Sequence, residues 1–362
     1  MRRVIHPFLW SVYPILMLVA YNIQQMDPSL AYRSILVSLG IAILLFLILN
    51  WILKNGQKAG LLVSLVFLLF YSYGHVYGFL SGIRPLGVNF GRHSLLLLAW
   101  AAVLAAGAFW VLRFRRDLSS LTQALNVIAI IALVFPAFQI VQYELRPSRA
   151  DLVGQNAQAA QAALAPELAS LKPPSGADLP DIYYIILDAY ARGDMLNKYF
   201  NEDNGPFLQK LESLGFYIGR CSQSNYSRTQ LSLASSLNFD YLDSLGITPQ
   251  KIDDQESLNR LILNNETRQA LKGMGYQTVV IDSGFSPTSW LNADVFLSAD
   301  KDTDEGDVLG GVNPFEALLL RTSAGLLVYR AYPILPRQVR TFLDTAYTQR
   351  RNRILYALDE LP

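Results

Sequence analysis

Cysteine is almost missing from this chain. Cys221 stands alone among 362 residues, which excludes an intrachain disulfide framework and a cysteine metal cluster. Histidine is nearly as scarce. His6, His75 and His93 are the only three, so nothing after residue 93 offers an imidazole as a base or a metal ligand. A surplus of either charge is missing too: 30 Lys and Arg against 29 Asp and Glu leave a net charge of +1. That balance gives no electrostatic footprint for nucleic acid. Charged residues make up 16% of the chain and hydrophobic ones 52%, and the imbalance is uneven. Apolar residues crowd into the first 145 positions, and the acids into the remainder.

What is abundant is long apolar runs. A bilayer core needs about 20 apolar residues per helix, and five stretches qualify, at 7–25, 34–53, 59–82, 93–112 and 121–143. Ser34 to Leu53 and Ser94 to Leu112 carry no charge at all. Residues 1–145 are therefore expected to form a five-helix transmembrane domain. The first run lacks a small-residue cleavage site and is followed by Gln24, Gln25 and Met26, so it is expected to be retained rather than removed as a signal peptide. With the N-terminus inside, Arg2, Arg3, Lys54, Lys58, Arg113, Arg115 and Arg116 fall on the cytoplasmic side. Arg33, Arg84 and Arg92 fall opposite. This bias follows the positive-inside rule, and five spans then carry everything after Tyr143 out of the cytoplasm, on a cell membrane (inner or plasma).

Residues 146–180 are expected to be a linker. Its Ala- and Gln-rich stretch from Gln155 to Leu171 suits a juxtamembrane helix, stopped by Lys172-Pro173-Pro174-Ser175-Gly176. Helix and strand patterns alternate through 181–362. Ile182-Tyr183-Tyr184-Ile185-Ile186-Leu187 has the apolar, β-branched pattern of a buried parallel strand. Phe216 to Gly219, Tyr276 to Ile281 and Val295 to Leu297 are further candidate strands. Helical patterns cover 205–214, 229–237, 254–262, 265–273, 313–330 and 336–361. Such alternation predicts an α/β domain with a largely parallel sheet. The apolar run Ala317 to Leu320 with Ala324 to Val328 is broken by Arg321 and ended by Arg330. It suits a buried or membrane-surface helix better than a sixth span.

Two places in this domain carry chemistry. Asp188 ends the first strand pattern, in Leu187-Asp188-Ala189-Tyr190-Ala191-Arg192-Gly193-Asp194, and ligands bind at the carboxyl ends of parallel strands. A carboxylate there suits a divalent cation, and it equally suits a helix cap. The second place is the hydroxyl-rich run from Ser222 to Ser232. It leads into a helix whose first N–H groups favour a phosphate or sulfate; the alternative reading is ordinary N-capping by Ser227 or Thr229.

Together, LDAYARGDML, the amphipathic DNGPFLQKLESLGF and the hydroxyl-rich loop resemble the alkaline phosphatase superfamily. The likeness is to its membrane-anchored sulfatase-like branch, with lipoteichoic acid synthases and phosphoethanolamine transferases. The resemblance implies about five spans, a linker helix and an extracytoplasmic catalytic domain acting on phosphate or sulfate esters of envelope lipids or glycans. It implies that Asp188 is a metal ligand and that Thr229, in Thr229-Gln230-Leu231-Ser232, is the nucleophile and a second ligand. The metal would be a divalent ion (Mn, Mg, Ca or Zn), and Arg228 would pair with the transferring anion. Ser224-Asn225-Tyr226-Ser227-Arg228 offers a second register, resembling a sulfatase motif with Tyr226 in place of its proline, and makes Ser224 or Ser227 the alternative nucleophile. The family's Asp-His pair and later His have no counterpart here, and Asp282 is followed by Ser283. Residues 181–362 are accordingly expected to be the N-terminal part of an alkaline phosphatase-like domain or a degenerate copy. As 362 residues the chain would be inactive. Its alternative function is then non-catalytic, an exported domain that binds anions or partners. A transporter is disfavoured, because the spans hold almost no interior charge.

Overall fold

The structure is a computed structural model that describes residues 3–23, 26–82, 91–145, 168, 171–172, 179–247, 255–299 and 311–361. Five helices come first: α1 (His6–Asn22), α2 (Tyr32–Leu53), α3 (Gly56–Ser81), α4 (His93–Arg113) and α5 (Ser119–Glu144). Four segments are long and apolar enough to cross a membrane: α2 with the short turn before it, and α3 to α5. α1 falls short of the fifth span expected. Its 17 residues rise about 26 Å, against a hydrocarbon core of about 30 Å. The Gln155–Leu171 linker helix and the loop holding Arg84 lie outside the described residues.

Several polar side chains inside this bundle bond backbone groups or one another, as a hydrocarbon solvent favours, while His6 Nε2 and Thr122 Oγ1 are buried without a partner among the described residues. Asn126 of α5 caps the start of α1. Its Oδ1 accepts from the Ile5 and His6 N–H groups (3.2 and 2.9 Å), and its Nδ2 donates to the Arg3 carbonyl at 2.9 Å. Ser38 of α2 donates to the Ser11 carbonyl and meets Tyr71 Oη of α3, both at 2.7 Å. α3 is the inner helix, 56% buried along its apolar window against 11% for the other three spans. His93 stacks between Tyr73 and Tyr77 and bonds Tyr73 Oη at 3.0 Å, which is the helix-packing role its position suggests.

After the bundle come α6 (Gly193–Phe200), α7 (Gly205–Ser213), α8 (Thr229–Ser236), α9 (Gln255–Leu263) and α10 (Glu266–Gly273). Then follow β1 (Val279–Ile281) and β2 (Val295–Leu297). The chain continues with α11 (Pro314–Thr322), α12 (Leu326–Arg330), α13 (Arg337–Leu343) and α14 (Thr345–Glu360). α7 to α10 match the sequence periodicity to within a residue or two, α6 was not expected, and the patterns over 313–330 and 336–361 each divide into two helices.

The sheet departs from expectation. Among the described residues it has two strands, β1 and β2, in parallel. Ile182 to Leu187, expected as a buried parallel strand, forms no strand and is 48–64% exposed. Phe216 to Gly219 forms no strand, and the Tyr276 to Ile281 strand shrinks to its last three residues. Composition biases a segment toward an extended backbone, but a strand also needs a neighbour to take its N–H and C=O groups.

The chain separates into two compact units. One joins 1–147 with 281–286 and 298–362, and the other holds 148–280 and 287–297. This division differs from a boundary at residue 181, since the C-terminal helices go with the spans. In the first unit a capping box starts α11. Asn313 Oδ1 accepts from Glu316 N at 2.8 Å, and Glu316 Oε2 accepts from Asn313 N at 3.1 Å. Glu316 also takes the Arg33 guanidinium (Nε to Oε1, 2.6 Å). The Ala324 N–H donates to the Phe70 carbonyl of α3 at 2.8 Å, and Phe315 is 2% exposed. The apolar 317–320 run is thus laid against α3. In the second unit, Leu231, Leu233 and Ala234 of α8 and Leu237 at its C-cap pack on Leu258 and Ile262 of α9.

Candidate active site

The core under α8 fixes where that helix begins. Asn238, just past its end, donates to the Ala234 and Leu261 carbonyls (2.7 and 3.0 Å) and accepts from Glu266 N at 3.0 Å. Tyr226 Oη accepts from Leu242 N at 3.0 Å, holding the loop before the helix. With those ties in place Thr229 opens the first turn of α8, and Arg228 is its N-cap residue in extended conformation.

Thr229 meets Asp188. Its Oγ1 donates to Asp188 Oδ1 at 3.1 Å, joining two residues 41 positions apart that the sequence marks for one site. Asp188 is exposed and Thr229 half-buried. The backbone beside the carboxylate is strained, with Ala189 at φ +58°, a left-handed conformation that costs a non-glycine residue about 1–2 kcal/mol. Such strain gathers at functional positions.

A second tie was not foreseen. Arg192 grips Asp194 with two bonds (Nε to Oδ1 2.7 Å, Nη2 to Oδ2 2.8 Å) and sends Nη1 to the Ser222 carbonyl at 3.0 Å. It straps the segment after Asp188 to the loop before Thr229. The Arg192 bond is the main reason the Asp194 carboxyl is pulled down to about 2. Its sequence signal was the Arg-x-Asp spacing at a helix start, where an acid also suits the dipole.

The alternative nucleophiles have other surroundings. Ser224 Oγ is engaged with the Tyr226 carbonyl at 2.6 Å and lies 3.4 Å from Ser232 Oγ. Ser227 is exposed in the bend before Arg228, and Cys221 is exposed in the preceding turn. No family model, curated protein or solved structure matches the chain. Asp188 and Thr229 are hard oxygen donors of the type a divalent cation takes. Yet no group of three or more His, Cys, Asp or Glu is gathered among the described residues. Two oxygens fall short of the six or so that such an ion needs, so these residues alone do not fit it.

Proposed function

We propose that this is a membrane-anchored transferase or hydrolase of phosphate or sulfate esters, of the sulfatase-like alkaline phosphatase type, with Thr229 as nucleophile. The observation that carries the reading is the 3.1 Å bond from Thr229 Oγ1 to Asp188 Oδ1. As the Thr229 oxygen attacks phosphorus or sulfur, Asp188 takes its proton. The ester oxygen leaves with the substrate's alcohol and is protonated. Water or an acceptor hydroxyl then displaces Thr229 and restores it. N–H groups of the first turn of α8 favour the transferring group's oxygens, and in this reading Arg228, the N-cap residue of that helix, pairs with them. The four spans support a site held near envelope lipids or glycans, and the catalytic unit lies outside the cytoplasm in this reading, the side that the Lys and Arg bias gives when α1 is counted as a fifth span. The divalent cation of the resemblance belongs to this reading only with ligands beyond the described residues.

The test uses the full chain in lipid, p-nitrophenyl phosphate and p-nitrophenyl sulfate, and added Mn, Mg, Ca or Zn. Turnover of one ester is expected, falling about 10³-fold or more in Thr229→Ala and about 10²-fold or more in Asp188→Asn. Wild-type turnover in Thr229→Ala would move the nucleophile to Ser224 or Ser227. A second reading is a non-catalytic domain that binds anions or partners. The absence of a third metal ligand among the described residues favours it. Phosphate binding without turnover under any of those metals would establish it.

A further inference from the structure

Within the membrane unit, α2, α3 and α11 enclose a cavity of about 460 Å³, in the size range of small-molecule sites. Along α2 it is lined by Ser34, Val37, Ile41 and Leu45, one helix face. From Ser34 to Leu45 the rise is about 16 Å, close to half of a hydrocarbon core of about 30 Å, which is the depth of one leaflet. Its floor is buried: Ser38, Phe67 and Tyr71 are all at most 8% exposed. The Ser38 and Tyr71 hydroxyls already bond each other, so they ask nothing polar of an occupant. Its rim is open, with Val37 at 55% and Ile41 at 47% exposed. On a helix that crosses a membrane, that opening faces lipid rather than water.

The two ends differ. At the Ser34 end, where α2 begins, the Arg33 guanidinium pairs with Glu316 and also donates to the Gly311 carbonyl. At the Leu45 end, near the middle of the span, the lining is apolar. The third wall is α11, which supplies Leu319 and Leu320 and is too short to be a span. A polar end at the start of a span, an apolar end at its middle and a side door to the bilayer match an amphiphile lying parallel to its neighbours.

We propose that this cavity binds the hydrocarbon chain of a membrane lipid, entered sideways from the bilayer, with the lipid's polar end beside the Arg33–Glu316 pair. The site stands apart from ester transfer, since Thr229 plays no part in it. An acyl chain and a polyprenyl chain share this chemistry, so the experiment carries both. The full chain is placed in phosphatidylglycerol–phosphatidylethanolamine vesicles, doped either with a phospholipid bearing a diazirine near its acyl terminus or with a diazirine polyprenyl phosphate. It is then irradiated and peptide-mapped. Adducts are expected at Ile41, Leu45 and Val66 about tenfold above those at Leu98, a residue of α4 that is 74% exposed. Ile41→Trp fills the cavity from a span and Leu320→Trp fills it from α11, and each should remove that excess while leaving Leu98 labelling unchanged. Excess labelling by either probe, or by both, supports the site and names its source. Labelling no higher at the cavity than at Leu98, or an excess that survives both substitutions in protein that stays monodisperse, overturns it.

Discussion

At Gly74 the backbone of α3 closely approaches the end of α11, and replacing it tests whether that docking is real. A methyl group built there would lie 2.5 Å from the Thr322 carbonyl oxygen and 2.7 Å from Ser323 N. Both are backbone atoms that cannot turn aside, so Gly74→Ala must push the end of α11 outward. That shift stretches the Ala324 N–H bond to the Phe70 carbonyl, now 2.8 Å, and opens Ser323, now 1% exposed. The lost bond contributes about 1 kcal/mol and the overpacking about 1–3 kcal/mol. Together they make the docked state roughly 30- to 1,000-fold less favoured, at about 1.4 kcal/mol per tenfold. The opposing term is small, since Ala in place of Gly within a helix stabilises α3 by about 0.5–1 kcal/mol. Gly78, one turn further along α3, has nothing within 4 Å of a built methyl, so Gly78→Ala carries the helix gain without the clash. Hydrogen exchange read by mass spectrometry on the full chain in micelles should show 317–324 losing protection in Gly74→Ala and keeping it in Gly78→Ala. Equal protection in both variants would refute the close approach.

The Arg192–Asp194 strap sets an acid limit. The carboxyl is depressed from an ordinary 3.8 to about 2, so its contribution is fully present above about pH 4 and is lost as pH falls through about 2. Carboxyl-carbon NMR of labelled aspartate should give a midpoint near 2, returning to the ordinary range in Arg192→Gln; a midpoint near 3.8 in the unaltered protein contradicts the strap. In the second unit, Leu258 is fully buried, and Leu258→Ala should destabilise the α8–α9 core by about 2–5 kcal/mol, read as a lower midpoint in urea. An unchanged midpoint would mean that the α8–α9 core does not hold the unit together.

Helices were legible because each carries its own evidence. The boundaries of α8, α9 and α10 follow from apolar spacing and from caps such as Asn265, whose side chain accepts from Arg268 N at 2.8 Å. Strands were legible only as extended segments. Nothing within Ile182 to Leu187 states whether a neighbour will stand beside it, and among the described residues none does. At the candidate site, Asp188 and Thr229 were legible as residue types, and a hydrogen bond joins them, although the strand expected to end at Asp188 does not form. The Arg192 strap was not, because its acceptor is a backbone carbonyl 30 residues away, and carbonyls leave no mark in a sequence. The docking of α11 was hidden for a different reason. Arg321 and Arg330 argue against a span, and the ties from the start of that helix to the bundle, Arg33–Glu316 and Asn313 Nδ2 to the Leu30 carbonyl, each join residues 283 positions apart.

That docking changes what a protease can do to this molecule. The polar unit is an insertion, because the chain leaves the membrane unit after residue 147 and rejoins it for good at 298. A single nick within 148–280 yields an N-terminal piece that keeps the spans and a C-terminal piece that keeps α11 against α3. Neither half is shed, and shedding requires two cuts. The same double attachment tethers both ends of the inserted segment to the membrane unit when it unfolds. Its disordered state therefore has fewer conformations than that of a free domain of equal length, and the polar unit refolds as a closed loop rather than as a loose tail.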